Sequence, residues 1–231
     1  MPMEVGYLVD LLRRVRKYYT ASLTITEGEF DGKIVVVVAG GVGREAARRA
    51  AGILLDGHRP SWIISAGFAG ALNPEVARGD VALPAEIVDA DGRRFPVVRP
   101  EPLGQGIRHL TGRLLTVDGV ILTPAEKAEL RQEFAADFVD MESSAVAAIC
   151  AERLIRFLSV RVISDDAHSE LPREVAKLIK QSGGRRVGAA LRAIWNRPTS
   201  LKDLLRLQGQ ALEAADRLAQ FLTHCLGQLP A

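Results

Sequence analysis

The residue pattern of the 231-residue chain predicts an α/β fold, a mainly parallel or mixed twisted central sheet flanked by helices. Three observations predict it. Residues 34–38 are an unbroken β-branched run, Ile-Val-Val-Val-Val, as in a strand buried on both faces. A glycine turn and a helical stretch follow that run directly. The alternation then recurs along the chain, down to a strand at 157–163 preceded by a helix at 141–154.

Taken in order, residues 4–17 read as a short amphipathic helix. Strand 34–38 ends in Gly40-Gly41-Val42-Gly43, and REAARRAAGILLDG reads as a helix stopped by Gly57. Pro60 opens a second buried strand at 62–65, which ends in the small-residue turn AGFAGAL. Residues 80–84 and 86–89 read as short strands, and 90–111, with Pro and Gly among charges, as an excursion. Strands at 114–117 and 138–139 precede the helix at 141–154. A final helix starts at Pro198-Thr199-Ser200, with Ser200 and Asp203 at capping-box spacing. Its stripe through Leu204, Leu205, Leu212, Leu218 and Leu222 suits core or subunit packing; a membrane or lipid contact is the alternative use. With no internal repeat or low-complexity linker, one domain spans 1–231, its C-terminal helical extension beginning at about 198.

Hydrophobic residues make up 48% and charged residues 25%, which allows a sizeable core. The net charge of +2 gives no support to nucleic-acid binding. The cluster Arg13, Arg14, Arg16 and Lys17 reads as a solvated helix face. Cys150 and Cys225 lack CxxC spacing, so neither a metal site nor a disulfide framework is expected, and no cofactor is implied. No apolar run approaches membrane-spanning length, and the N-terminus lacks the order of a secretory signal. A cytoplasmic protein is expected.

Parallel strands gather the loops at their C-terminal ends on one edge, where ligands bind. Four such loops stand out: 40–43, 66–71, Asp140-Met141-Glu142 and Ser164-Asp165-Asp166. If the last two follow consecutive parallel strands, Glu142 and Asp165 face one cavity and can divide sugar binding from proton transfer. The bland readings are that Glu142 complements a helix dipole and that Asp165 or Asp166 caps the next helix. Gly41-Val42-Gly43-Arg44-Glu45-Ala46 also matches the dinucleotide fingerprint GxGxxA. However, the next strand ends Ile64-Ser65-Ala66-Gly67, without the acid that would hold a ribose.

Together, GGVGREAARRAAGILLDGHRPSWIISAGFAGALNPEVARGDVALPAEIVD, FVDMESSAVAAIC and FLSVRVISDDA resemble the nucleoside phosphorylase superfamily over residues 34 to 167. The resemblance is nearest to its methylthioadenosine/S-adenosylhomocysteine nucleosidase-like branch. It implies that Asp165, positioned by Ser164, contacts the purine and protonates it at N7. It implies that Glu142 binds the ribose hydroxyls over Met141, that Val120 and Ile121 line the base pocket, and that Ala69 and Gly70 lie beside the ribose. The family's opening strand has no counterpart ahead of Pro2-Met3-Glu4-Val5 and is expected to be absent; Glu4 then matches the water-activating glutamate. Phosphate-binding positions of the phosphorylases fall on Ser65 and Phe68, and a phenylalanine cannot bind an oxyanion, which favours water as nucleophile.

The implied activity is hydrolysis of a 5′-modified adenosine to release adenine, by a homodimer or higher homo-oligomer. Phosphorolysis is one alternative. A 5′-lipid-linked adenosine is another, from a similarity of the C-terminal extension to the hopanoid-associated phosphorylase-like subgroup. A nucleoside-binding scaffold is the non-enzymatic one.

Overall fold

The computed structural model describes residues 2–20, 23–99, 103, 108–170 and 201–230, with side chains described throughout these except at 2–5 and 201–211. The chain opens with helix α1 (Pro2–Asp10) and continues into an antiparallel three-stranded sheet, β1 (Arg13–Tyr19), β2 (Thr24–Phe30) and β3 (Lys33–Ala39). Helix α2 (Arg44–His58) leads to the long strand β4 (Trp62–Ala71). Short strands β5 (Val81–Ala82), β6 (Glu86–Asp89), β7 (Arg94–Pro96) and β8 (Arg113–Thr116) follow, then α3 (Pro124–Phe134) and β9 (Phe138–Asp140). Helix α4 (Ser143–Glu152), strand β10 (Arg156–Asp165) and helix α5 (Leu201–Gln228) complete it.

The main sheet has seven strands in the order β5-β10-β4-β9-β8-β6-β7. It is mixed in an orderly way. β10 runs parallel to β4, and β6, β8 and β9 run parallel to one another. The two groups meet antiparallel at β4 and β9, through Gly70 opposite Val139 and Ala71 opposite Phe138. This corrects the expectation of consecutive parallel units: β9 and β10 flank β4 on opposite sides and point opposite ways. A three-residue strand carries no pattern that could have fixed its direction.

Two main cores cover the sheet. One packs α2 and α4 against Ile63, Ala69, Leu114 and Ile163; the other packs α5 against Leu158, Val160, Val162 and Leu83. Leu218, Phe221, Leu222 and Cys225 of α5 are buried in that second core, whereas Leu212, placed on the same stripe by the sequence, is 53% exposed. The Ser200–Asp203 capping pair lies outside the described side chains. Among the described residues no helix is long and apolar enough to cross a membrane.

Three further expectations are corrected. The helix foreseen over 4–17 stops at Asp10, and 13–19 forms an edge strand paired with β2, where Val15, Tyr18 and Tyr19 suit a pleated surface. The run at 34–38 is not buried on both faces; β3 pairs with β2 outside the main sheet, and Ile34 is 69% exposed. The small-residue stretch after Ser65 is not a turn. It continues β4 to Ala71, in register with β10 from Val160 opposite Ala66 to Asp165 opposite Gly70.

Candidate active site

Asp165 ends β10. Its Oδ1 accepts from Ser164 Oγ at 2.6 Å, and its Oδ2 from Lys127 Nζ at 2.5 Å. The same serine hydroxyl lies 3.2 Å from the carbonyl of Ala69. The carboxylate rests against Gly70, where a Cβ would stand 3.1 Å from Oδ2 and 3.3 Å from Val139 Cγ1. Glycine is the residue that lets the acid lie flat on the sheet here. The Asp165 side chain is 38% exposed and so remains reachable. Asp166 points elsewhere: its Oδ1 accepts from the His168 backbone N–H and from Ser169 Oγ, capping the following turn. Those bonds hold its carboxyl below the usual range, the Ser169 bond contributing most.

Glu142 stands between β9 and α4, and it is freed from helix capping by its neighbours. Asp140 Oδ2 accepts the Ser143 N–H, and Thr116 Oγ1 accepts the Ser144 N–H. Glu142 Oε1 instead accepts the Gly43 N–H at 2.7 Å, at the start of α2, and Oε2 lies 3.3 Å from the Met141 N–H. Burial, and then the Asp140 charge, push the Glu142 carboxyl above its ordinary 4.5, against the opposing pull of Gly43 and Arg161.

Under this turn lies a buried polar cluster. Arg161, 2% exposed in the middle of β10, donates to Asp140 Oδ2 from Nε and Nη2, to Ser143 Oγ, and to both the carbonyl and the hydroxyl of Ser65. Thr116 Oγ1 donates to Asp140 Oδ1 at 2.7 Å. The cluster fixes the segment that carries Met141 and Glu142, and it occupies Ser65.

The sequence-derived residues therefore fall into two groups joined by β4. Ala69, Gly70, Ser164 and Asp165 are in mutual contact; Met141 and Glu142 meet the Gly43 turn. Gly70 is the shared neighbour, paired with Asp165 on one side and Val139 on the other. Two strand spacings put those flanks about 10 Å apart. Val120 and Ile121 lie on the loop after β8, half-buried, with Ile121 packed on the small core that includes Val117 and Val139. An Arg44–Asp118 ion pair at 3.4 Å ties that loop to α2. Phe68 is half-buried in the core with Val160 and Val162. Glu4 sits in α1, its side chain outside those described. A cavity of about 460 Å³ lies beside α3, lined in part by Leu72, Pro124, Arg131 and His168; neither acid lines it.

Residues 1–196 match the family model described as the phosphorylase superfamily. The chain belongs to that superfamily. Among its relatives are 5′-methylthioadenosine/S-adenosylhomocysteine nucleosidases, which cleave N-glycosidic bonds. That of Shewanella halifaxensis is 25% identical over 209 residues, covering 79% of this chain and 90% of that protein. That of Colwellia psychrerythraea is 24% identical over 245 residues, covering 93% and 97%. Solved structures share the fold: the Colwellia psychrerythraea nucleosidase in complex with adenine has a TM-score of 0.74, 24% identity, and covers 99% of this chain and 92% of its own. Futalosine hydrolase of Helicobacter pylori has a TM-score of 0.76, 17% identity, and covers 99% and 95%.

Sequence reasoning missed α3 and Lys127. The signal was present: Thr123-Pro124-Ala125-Glu126 is a capping box, observed with both bonds formed. Lys127, Leu130 and Phe134 then share the inward helical face. Arg161, between two buried valines, was equally visible as a charge requiring a partner.

Proposed function

We propose that this superfamily member is a purine nucleosidase that hydrolyses the N-glycosidic bond of a 5′-modified adenosine and releases adenine. The observation that carries the reading is that the two strands flanking β4 lead to acids, Asp165 at the end of β10 and Glu142 just after β9, one reachable from solvent and the other with a side chain freed from capping. The identity of the nucleosidase relatives supports it. In this reading the purine N7 takes a proton from the Asp165 side as the C1′–N9 electron pair passes into the base. Such acid catalysis is worth about 10²–10⁴ in rate. Glu142 holds the sugar hydroxyls and faces the oxocarbenium-like sugar with negative charge. Glu4 on α1 is the residue assigned to activating water, and the active form is a homo-oligomer.

Water is favoured over phosphate because the phosphorylase positions are already used. Ser65 is engaged through both its oxygens by Arg161, and Phe68 is packed in a core. Incubation with methylthioadenosine, with and without phosphate, tests this: equal adenine release and a free reducing sugar are expected in both. Dependence on phosphate would establish phosphorolysis, and tight nucleoside binding without base release would establish a scaffold. Including futalosine and a 5′-lipid-linked adenosine as substrates reads out the 5′ substituent. Asp165→Asn is expected to lower kcat by about 10²–10⁴ while the chain stays folded; full activity would remove Asp165 from the mechanism.

A further inference from the structure

We propose that Lys127 is the positioning residue that supplies Asp165 with the proton delivered to the departing purine, so that the working acid is the Lys127–Asp165 pair. The inference rests on the reading of Asp165 given above.

Lys127 lies in the first turn of α3 on the face that also presents Leu130 and Phe134 to the core, and it is 2% exposed. Its Nζ donates to Asp165 Oδ2 and to the carbonyl of Asp166, both at 2.5 Å. Removing an ammonium from water costs several kcal/mol even when it is paired. An apolar side chain would fasten α3 to the sheet without that cost. The cation is therefore better explained by what it does to the carboxylate beside it.

In this ion pair the transferable hydrogens lie on nitrogen, and Ser164 already donates to the other carboxylate oxygen. A proton for N7 is thus available from Nζ. The Nζ–H bond breaks as Oδ2–H forms, leaving a neutral amine that still donates to the Asp166 carbonyl. The Oδ2–H turns about its C–O bond, then breaks as N7–H forms and the C1′–N9 electron pair enters the purine. Water adds to C1′, and the proton it sheds returns through solvent to Nζ. The pair passes from neutral to singly negative while the sugar becomes positive, which offsets charge where it develops.

The other charged groups around the pair have their own partners. Just past β10, Asp166 is turned to His168 and Ser169 with Arg78 near it, and on β10 Arg161 is bound to Asp140. On the β9–α4 turn, Glu142 is held by Gly43; on α3, Arg131 lies 3.6 Å from Asp137. Among the described residues, Asp165 is the ionisable group in contact with Lys127.

The test is the pH profile of kcat for adenine release from methylthioadenosine, for the wild type and for Lys127→Met, Lys127→Gln and Lys127→Arg. Thermal unfolding and adenine binding report the fold and the site. Wild-type kcat is expected to stay level from about pH 6 to 9. In the Met and Gln variants the loss relative to wild type should grow at least about tenfold between pH 5.5 and 8.5. Arginine keeps the cation and its donors but does not release a proton. Lys127→Arg should therefore recover stability and adenine binding without recovering the alkaline rate.

A loss of equal factor at every pH, or wild-type rate at pH 8.5 in Lys127→Arg, overturns the inference and leaves the nucleosidase reading standing. If the variants fail to fold, the wild-type profile decides, because a fall in kcat above pH 6 overturns it as well. No base release from the wild type overturns both readings.

Discussion

Asp165 and Glu142 are both acids, one at the last residue of a strand and one two residues past a strand's end, yet their surroundings differ in kind. Asp165 sits against a buried ammonium and a serine hydroxyl. Among the described residues Glu142 has no ion pair with a cation; it leans on one good backbone N–H, and burial raises its carboxyl. Environments that separate two carboxyl groups are the usual means of assigning them different tasks at one pH. In the proposed reading, the end of β10 holds and passes a proton, and the β9–α4 turn presents an acceptor held still from below.

The sharpest way to break the second arrangement is to remove its foundation. Arg161→Ala leaves the Asp140 carboxylate buried with Thr116 Oγ1 and the Ser143 N–H as donors and its charged donor gone. Breaking a buried pair by removing one partner costs about 3–5 kcal/mol. The urea midpoint should fall accordingly, with loss of sugar binding in whatever fraction remains folded. A midpoint within experimental error of wild type would mean that the cluster does not support the turn.

That cluster also marks where the sequence was readable and where it was not. The strands at 62, 86, 114, 138 and 157 and the helices at 44, 143 and 201 were visible because their apolar periods were long or their glycines well placed. Asp165, Ser164 and Glu142 were visible as candidates because their motifs lie in order along the chain. The opening strand β1 was hidden by four cations that give an edge strand the look of a helix face. The direction of β9 was hidden because three residues, buried throughout, fit either orientation. The place of Lys127 on the inward face of a helix was signalled by the capping box at Thr123; its partner, 38 residues away, was not, because no local pattern encodes that contact.

Glu142→Gln tests the acceptor itself. Hydrogen bonds to a charged group are worth about 1.5–3 kcal/mol, so KM for the nucleoside should rise roughly tenfold or more with a smaller change in kcat. A pH signature accompanies it. The folded-state value is raised above 4.5, so the native chain binds more protons than the unfolded one above that pH. The group's contribution therefore favours folding below 4.5 and is lost as pH rises through the folded value. Thermal stability of Glu142→Gln relative to wild type should improve between pH 4.5 and 8, and a constant difference across that range would contradict the burial argument.

Gly70→Ala presses on both halves together. Its new Cβ would stand 3.1 Å from Asp165 Oδ2 and 3.3 Å from Val139 Cγ1, so one of them must yield. Crowding of this kind costs about 1–3 kcal/mol, and a displaced acid costs rate beyond that. We expect kcat to fall roughly tenfold with KM little changed. An equal fall in kcat with Asp165 already replaced by Asn would show that the damage does not pass through the carboxylate.

The smallest effect separates the helix that carries Lys127 from the charge it delivers. Thr123 Oγ1 accepts the Glu126 N–H at 3.2 Å, and the Glu126 carboxylate accepts the Thr123 N–H at 3.0 Å. Thr123→Ala removes the first of these and should lower stability by about 1 kcal/mol, read as a shift in Tm. Lys127 is one turn further in and is anchored independently to Asp165 and to the Asp166 carbonyl. The kcat profile should therefore keep its alkaline plateau even though the helix start is frayed. Were the plateau to disappear along with that cap, the lysine would be held by α3 itself, and the contact with Asp165 would follow from the helix instead of fixing it.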